Sequence, residues 1–203
     1  GPFLEESILG SALRRGLLAV EAHDLRAWTK DRHRTVDDAP YGGGPGMVMK
    51  PEPLAAAISD AQQKFENART VLLTPQGRVF DQKMAENFSR SQGLILICGR
   101  YEGIDERICY EHIDDEISIG DFILTGGELA AMVVIDSITR LLPGVLGCSD
   151  SAAKDTFSRN LLKHPQYTRP REFNELAVPE ELLSGNHEKI EEYRFITSVK
   201  RTL

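Results

Sequence analysis

Cysteine is scarce: only Cys98, Cys109 and Cys148 occur among 203 residues. Their scattered positions fit neither a disulfide framework nor a zinc pattern. Cys98 closes an apolar run and reads as a reduced core residue, so a reducing, cytoplasmic compartment is expected. Long apolar runs are also missing. The longest, Leu129 to Ile135, has seven residues, against about 20 for a membrane-crossing helix, so no membrane span is expected. Gly1 to Gly10 holds two acids and no base, which does not fit a signal peptide.

An excess of positive charge is absent too. The chain carries 24 Lys and Arg against 31 Asp and Glu, a net charge of −7, which argues against a generic polyanion binder. The imbalance is local. Residues 1–149 hold 15 basic and 22 acidic side chains, whereas residues 150–203 hold nine of each. Nucleic acid contact therefore belongs to particular segments. The common catalytic strings are missing: there is no G-x-G-x-x-G, no G-x-x-x-x-G-K-[ST], no H-E-x-x-H and no G-x-S-x-G. Histidine pairs do not point to a metal, and no metal-ligating residues are assigned.

Hydrophobic residues at 41% and charged residues at 27% fit an ordinary globular chain. Ser7 to Leu18 has helical spacing, Ala19 to Leu25 alternates weakly like a strand, and Trp28 to Pro40 reads as a mobile loop. Pro53 to Phe65 predicts a helix. A strand–loop–helix grammar then repeats. Thr70 to Leu73 is a strand, followed by the turn Thr74 to Arg78 and a helix capped by Asp81. Leu94 to Cys98, five apolar residues running, predicts a strand buried on both faces. Glu116 to Ile119 is a third strand. The helix from Gly127 to about Leu142 is apolar on nearly every side and should be buried. The fold class is therefore α/β with a mostly parallel sheet. Gly144 to Arg171 reads as a linker, and Pro179 to Leu183 and Asn186 to about Leu203 as helices, the second capped by Asn186.

Three loops sit at the carboxyl ends of these strands: Thr74 to Arg78, Gly99 to Gly103 and Gly120 to Gly127. Ligands bind at that edge of open α/β sheets; any one loop alone reads better as ordinary turn glycines, and it is three on one edge that bring in a ligand site. Taken alone, Arg140 is a cation favoured at a helix C-terminus, and Asp155 a solvated side chain or a cap.

Longer strings narrow the choice. They include Asp37-Asp38-Ala39-Pro40-Tyr41-Gly42-Gly43-Gly44-Pro45-Gly46-Met47, Leu73-Thr74-Pro75-Gln76-Gly77-Arg78, and Cys98-Gly99-Arg100-Tyr101-Glu102-Gly103-Ile104-Asp105-Glu106-Arg107. Ser118-Ile119-Gly120-Asp121, Leu124-Thr125-Gly126-Gly127-Glu128-Leu129, Leu142-Pro143-Gly144-Val145-Leu146-Gly147, Pro165-Gln166-Tyr167-Thr168-Arg169-Pro170 and Leu182-Leu183-Ser184-Gly185-Asn186-His187 complete the set. With these strings the chain resembles, end to end, the bacterial tRNA (guanine-N1-)-methyltransferases of the SPOUT superfamily. It departs from that pattern at Leu72 and Phe122, where the family often has Tyr, at Ala130, where Pro is usual, and at Lys154, where an acid is frequent.

The resemblance implies a SPOUT-type deep trefoil knot in residues 1–147, an interdomain linker over 148–171 and a small helical tRNA-binding domain over 172–203. It also implies an apolar first strand ahead of Gly1 and a basic helix continuing past Leu203. S-adenosyl-L-methionine would be held by Leu72, Leu73, Pro75, Gly99, Tyr101, Glu102, Gly103, Ser118, Ile119, Gly120, Asp121, Phe122, Ile123, Leu124, Gly126 and Gly127. The product would be N1-methylguanosine at tRNA position 37, with Asp155 as base and Arg140 stabilising O6. A magnesium ion is compatible with the resemblance. The partners would be a second copy of the chain, sharing the active site, and the anticodon arm of tRNA, contacted in part by Arg159, Lys163, Arg169, Lys200 and Arg201. Two other classes compete. A knotted RNA-binding protein without transfer activity would lack the pocket or the base, and an α/β nucleotide hydrolase would need a phosphate loop.

Overall fold

The computed structural model describes residues 2–147, 155–157 and 160–203. Cys148, Lys154 and Arg159 lie outside the described residues. The chain divides into two compact units, Gly1–Val145 and Leu146–Leu203.

The first unit opens with the helices α1 (Pro2–Glu5) and α2 (Ser7–Arg14). Ala19 to Leu25 is not a strand. It runs irregularly into a 3₁₀ turn over Leu25–Trp28, whose N-cap Asp24 accepts from the Arg26 amide. The segment expected to be a mobile loop is instead tied down. Asp31 accepts from the backbone and hydroxyl of Thr35, and these bonds hold its carboxyl below the usual range. Trp28 Nε1 donates to Asp60 at 2.5 Å. The local polar pattern hid these anchors, because they are side-chain bonds rather than a buried periodic face. A two-residue antiparallel ladder follows, β1 (Asp37–Asp38) with β2 (Val48–Met49).

The central sheet has three parallel strands in the order β4-β3-β5: β3 (Arg69–Val79), β4 (Leu94–Cys98) and β5 (Asp115–Ser118). Thr70, Val71, Leu72 and Leu73 are buried because β3 is the middle strand. Thr70 is satisfied there: its amide donates to Asp114 Oδ2 at 2.7 Å, and its hydroxyl accepts from Gln62 Nε2. The apolar run Leu94 to Cys98 does form a parallel strand, but it lies at the edge of this sheet and is only half-buried.

Helices cover both faces. On one side α4 (Gln82–Ser89) and α6 (Glu128–Thr139) enclose Val71, Leu73, Phe88, Ile117, Val134 and Ile138. On the other, α3 (Pro51–Lys64) and α5 (Glu106–His112) enclose Met49, Leu54, Ile58 and Ile108. Capping follows the sequence. Asp81 accepts from the Met84 amide at 2.7 Å and Asp105 from the Arg107 amide at 3.0 Å, each satisfying a first-turn donor. Helix α6 ends at Thr139, with Arg140 as its C-cap, and is not buried all round. Ala130, Ala131, Val134 and Ile138 face the core, while Leu129 and Val133 remain exposed.

The second unit contains a hairpin, β6 (Glu172–Phe173) with β7 (Leu176–Ala177), then α7 (Glu180–Leu183) and α8 (His187–Thr202). The hairpin turns on Asn174 and Glu175, both with positive φ, as a tight two-residue turn demands. Asn186 caps α8 through the amides of Glu188 and Lys189. Thr202 on that helix accepts from the Leu162 amide at 3.0 Å, tying it to the preceding irregular segment.

Candidate active site

Because β3, β4 and β5 are parallel, their carboxyl ends share one edge, and the three glycine loops leave from it. On β3, Leu73 and Arg78 both stand opposite Ile117. Thr74 to Gly77, with Pro75 among them, therefore loop out of the strand. Gly77 permits this, since a Cβ there would fall on the backbone of Glu116 and Ile117. Leu72 and Leu73 are the last buried residues before the excursion.

The loop after β4 is a tight turn in which the Gly103 amide donates to the Arg100 carbonyl at 3.0 Å. Tyr101 and Gly103 take positive φ. The glycine-rich segment before β2 fastens this turn from outside. The Glu102 amide donates to the Met47 carbonyl, the Met49 amide to Gly103 and the Asp105 amide to Met49, each at 3.0 Å.

The loop after β5 is set by Ser118. Its buried hydroxyl donates to the Gly120 carbonyl at 3.1 Å and accepts from the Gly120 amide at 3.2 Å. The Phe122 amide then donates back to Gly120 at 2.9 Å. Ile119, Asp121, Ile123, Leu124 and Gly126 complete the span, and the side chains of Phe122 and Ile123 stand in solvent.

The second and third loops are locked together. The Gly127 amide donates to the Gly99 carbonyl at 2.9 Å, and Arg100 bridges to Gly126. The Arg100 guanidinium meets Glu128 at 2.6 Å. Gly127 is required by closeness, because a Cβ would lie 2.8 Å from Cys98 Cα. Cys98 offers no nucleophile beside this junction: burial, then the nearby Glu128, pushes its thiol up to about 11.

The predicted donor-binding residues therefore converge on one edge in backbone-rich loops. This composition fits a ligand such as S-adenosyl-L-methionine. Peptide groups and apolar side chains suit a nucleoside, and the carboxylates Glu102 and Asp121 suit a cationic tail and sulfonium. A Cβ at Gly103 would meet nothing within 4 Å, so the turn leaves room on its outer side. A 290 Å³ hollow beside Gln76, Gly77 and Arg78 opens instead against Ile113 to Glu116. It joins part of the first loop to the start of β5.

The two residues assigned to catalysis are placed differently. Arg140 is exposed at the C-terminus of α6, whose N-terminus holds Gly127. Twelve helical residues at about 1.5 Å each separate Arg140 from its own glycine loops by roughly 18 Å. Asp155 belongs to the second unit, where Lys163 Nζ donates to its Oδ1 at 3.2 Å and the Lys163 amide to Thr156 Oγ1 at 3.2 Å. Among the described residues, no group of three or more His, Cys, Asp or Glu side chains is placed to hold a metal, and no helix is long and apolar enough to cross a membrane.

The family model for tRNA (Guanine-1)-methyltransferase TrmD matches residues 1–203. The chain belongs to this family. Its relatives among the tRNA (guanine-N(1)-)-methyltransferases are similar over their shared length. The protein of Geobacter sp. (strain M21) is 55% identical over 203 residues, covering 100% of this chain and 81% of the relative. That of Geotalea uraniireducens (strain Rf4) is 55% identical over 202 residues, with 100% and 81% covered. That of Moorella thermoacetica (strain ATCC 39073 / JCM 9320) is 54% identical over 202 residues, with 98% and 81% covered.

For a tRNA (guanine-1)-methyltransferase, the geometry adds residues that sequence reasoning did not single out. The Arg100–Glu128 pair clamps the second and third glycine loops together, and Met47 and Met49 brace the second through backbone bonds. Arg100, Glu128 and Met47 lie inside the motif strings, whereas Met49 lies just past one. Their roles were hidden because an ion pair across 28 residues and backbone bonds across more than 50 leave no local periodicity.

Proposed function

We propose that this chain transfers a methyl group to N1 of guanosine at position 37 of tRNA, with S-adenosyl-L-methionine held by the three glycine loops. The observation that carries this reading is the convergence of those loops on one sheet edge, interlocked by Gly127 and Gly99, in a chain of this family. When bound, the donor supplies an electrophilic methyl on sulfur, so the protein's task is to position guanine and make N1 nucleophilic. The N1 proton is about as weakly acidic as a Tyr phenol. A carboxylate base starts roughly six pKa units too low, or ~8 kcal/mol uphill. Asp155 alone is therefore not enough. Arg140 would stabilise the negative charge that develops on O6 as Asp155 accepts the N1 proton, which lowers the cost of that transfer.

The shared active site is part of the proposal. Arg140 lies far along α6 from its own glycine loops. On that helix Leu129, Val133 and Arg140 recur at intervals of four and seven, forming one solvent-facing stripe. Leu129 is 52% and Val133 45% exposed, and Phe122 and Ile123 just upstream are exposed as well. A second copy covering this stripe would bury the aliphatic side chains and carry Arg140 into the interface.

The knotted path of the first unit, the domain boundaries at 147 and 171, tRNA binding by residues 172–203 and a cytoplasmic location belong to the same reading. Magnesium does too. Its ligands would come mainly from RNA phosphates and water, as this ion commonly prefers. Calorimetry tests the donor assignment: S-adenosyl-L-methionine should bind and ATP should not. ATP binding without donor binding would favour a nucleotide hydrolase instead.

A further inference from the structure

The second unit holds a cleft that the transfer reaction does not use. Its volume is about 390 Å³, within the roughly 300–1,000 Å³ typical of small-ligand sites. Its floor is aliphatic, with Leu182 and Ile190, and its walls carry Tyr167, Arg169, Arg171 and Arg194. No carboxylate lines it, although residues 150–203 have as many acids as bases. Arg194 donates from one terminal nitrogen to Glu191 at 2.7 Å, yet its Nε is buried and has no hydrogen-bond partner. The side chain as a whole is 42% exposed, so the rest of its guanidinium can meet an anion in the cleft. Tyr167 is 47% exposed, so its ring is open to a partner from the cleft.

We infer that this cleft seats one unstacked nucleotide of the tRNA substrate, at a position other than the methylated guanosine. The base lies against Tyr167 over the aliphatic floor, and its phosphate meets Arg169, Arg171 and the exposed end of Arg194. Aromatic stacking with arginine contacts is the usual way proteins hold an extruded base. The inference rests on the reading of the chain as a tRNA methyltransferase.

The test uses full-length tRNA carrying one abasic position at a time, with binding followed by fluorescence anisotropy. With the unaltered protein, one non-target position should cost roughly 5–100-fold in affinity when its base is removed. Tyr167→Leu should bind intact tRNA with that loss already incurred, and the abasic substitution should then cost nothing more. Tyr167→Phe should retain the sensitivity. If Tyr167→Leu does not fold, Arg194→Gln supplies the same comparison. Equal responses of the variants and the unaltered protein at every position would overturn the pocket. Methylation of intact tRNA is measured in parallel: its presence without coupling refutes the pocket alone, and its absence refutes the reading beneath it.

Discussion

In the proposed reaction Asp155 and Arg140 would divide one chemical problem, moving a weakly acidic proton and holding the charge left behind. Asp155→Asn keeps the shape but cannot accept the N1 proton. Turnover should fall by ~10²–10⁴, the range for loss of a general base, while affinity for S-adenosyl-L-methionine stays close to normal. Raising the pH should partly restore the variant, because hydroxide then helps remove the proton. Arg140→Ala should also slow turnover but respond less to pH, since the charge on O6 remains uncompensated. Single-turnover rates across pH on saturating tRNA check both, and near-normal rates for Asp155→Asn would move the base elsewhere. Lys163, 3.2 Å from Asp155, stands eight positions on in sequence and was not legible as its neighbour. Nothing periodic joins the pair.

At the scale of elements, the proposed donor site depends on β4 and α6 approaching so closely that only glycine fits between them. Gly127→Ala would place a methyl 2.8 Å from Cys98 Cα, well inside van der Waals contact. The variant should lose most donor affinity by calorimetry, because the Gly127–Gly99 bond and the Arg100–Glu128 clamp depend on that approach. Unchanged affinity would mean that the junction does not shape the site. The parallel strands and the Asp81 and Asn186 caps were legible, since each combines a local pattern with a single polar signal. The β6–β7 hairpin was not, because its turn is Asn174-Glu175 rather than the usual Asn-Gly. The edge position of Leu94 to Cys98 was also hidden. An unbroken apolar run says that a strand is wanted in a core, not how many neighbours it will have.

For the whole molecule, the account requires two copies. An exposed aliphatic stripe on α6 ending in Arg140, about 18 Å from its own glycine loops, is the arrangement expected if each copy completes the other's site. Mixing an Asp155→Ala chain with a Gly127→Ala chain should then restore part of the activity in mixed dimers. An active monomer by sedimentation, with no complementation, would contradict this. The family was legible from the motif strings alone, whereas the pairing of loops needed the fold. The most direct measurement is primer extension on tRNA incubated with the protein and S-adenosyl-L-methionine. A methyl on N1 blocks base pairing, so reverse transcription should stop beside guanosine 37, and the stop should vanish with Asp155→Asn. A stop at another nucleotide, or none with donor and tRNA both saturating, would contradict the account.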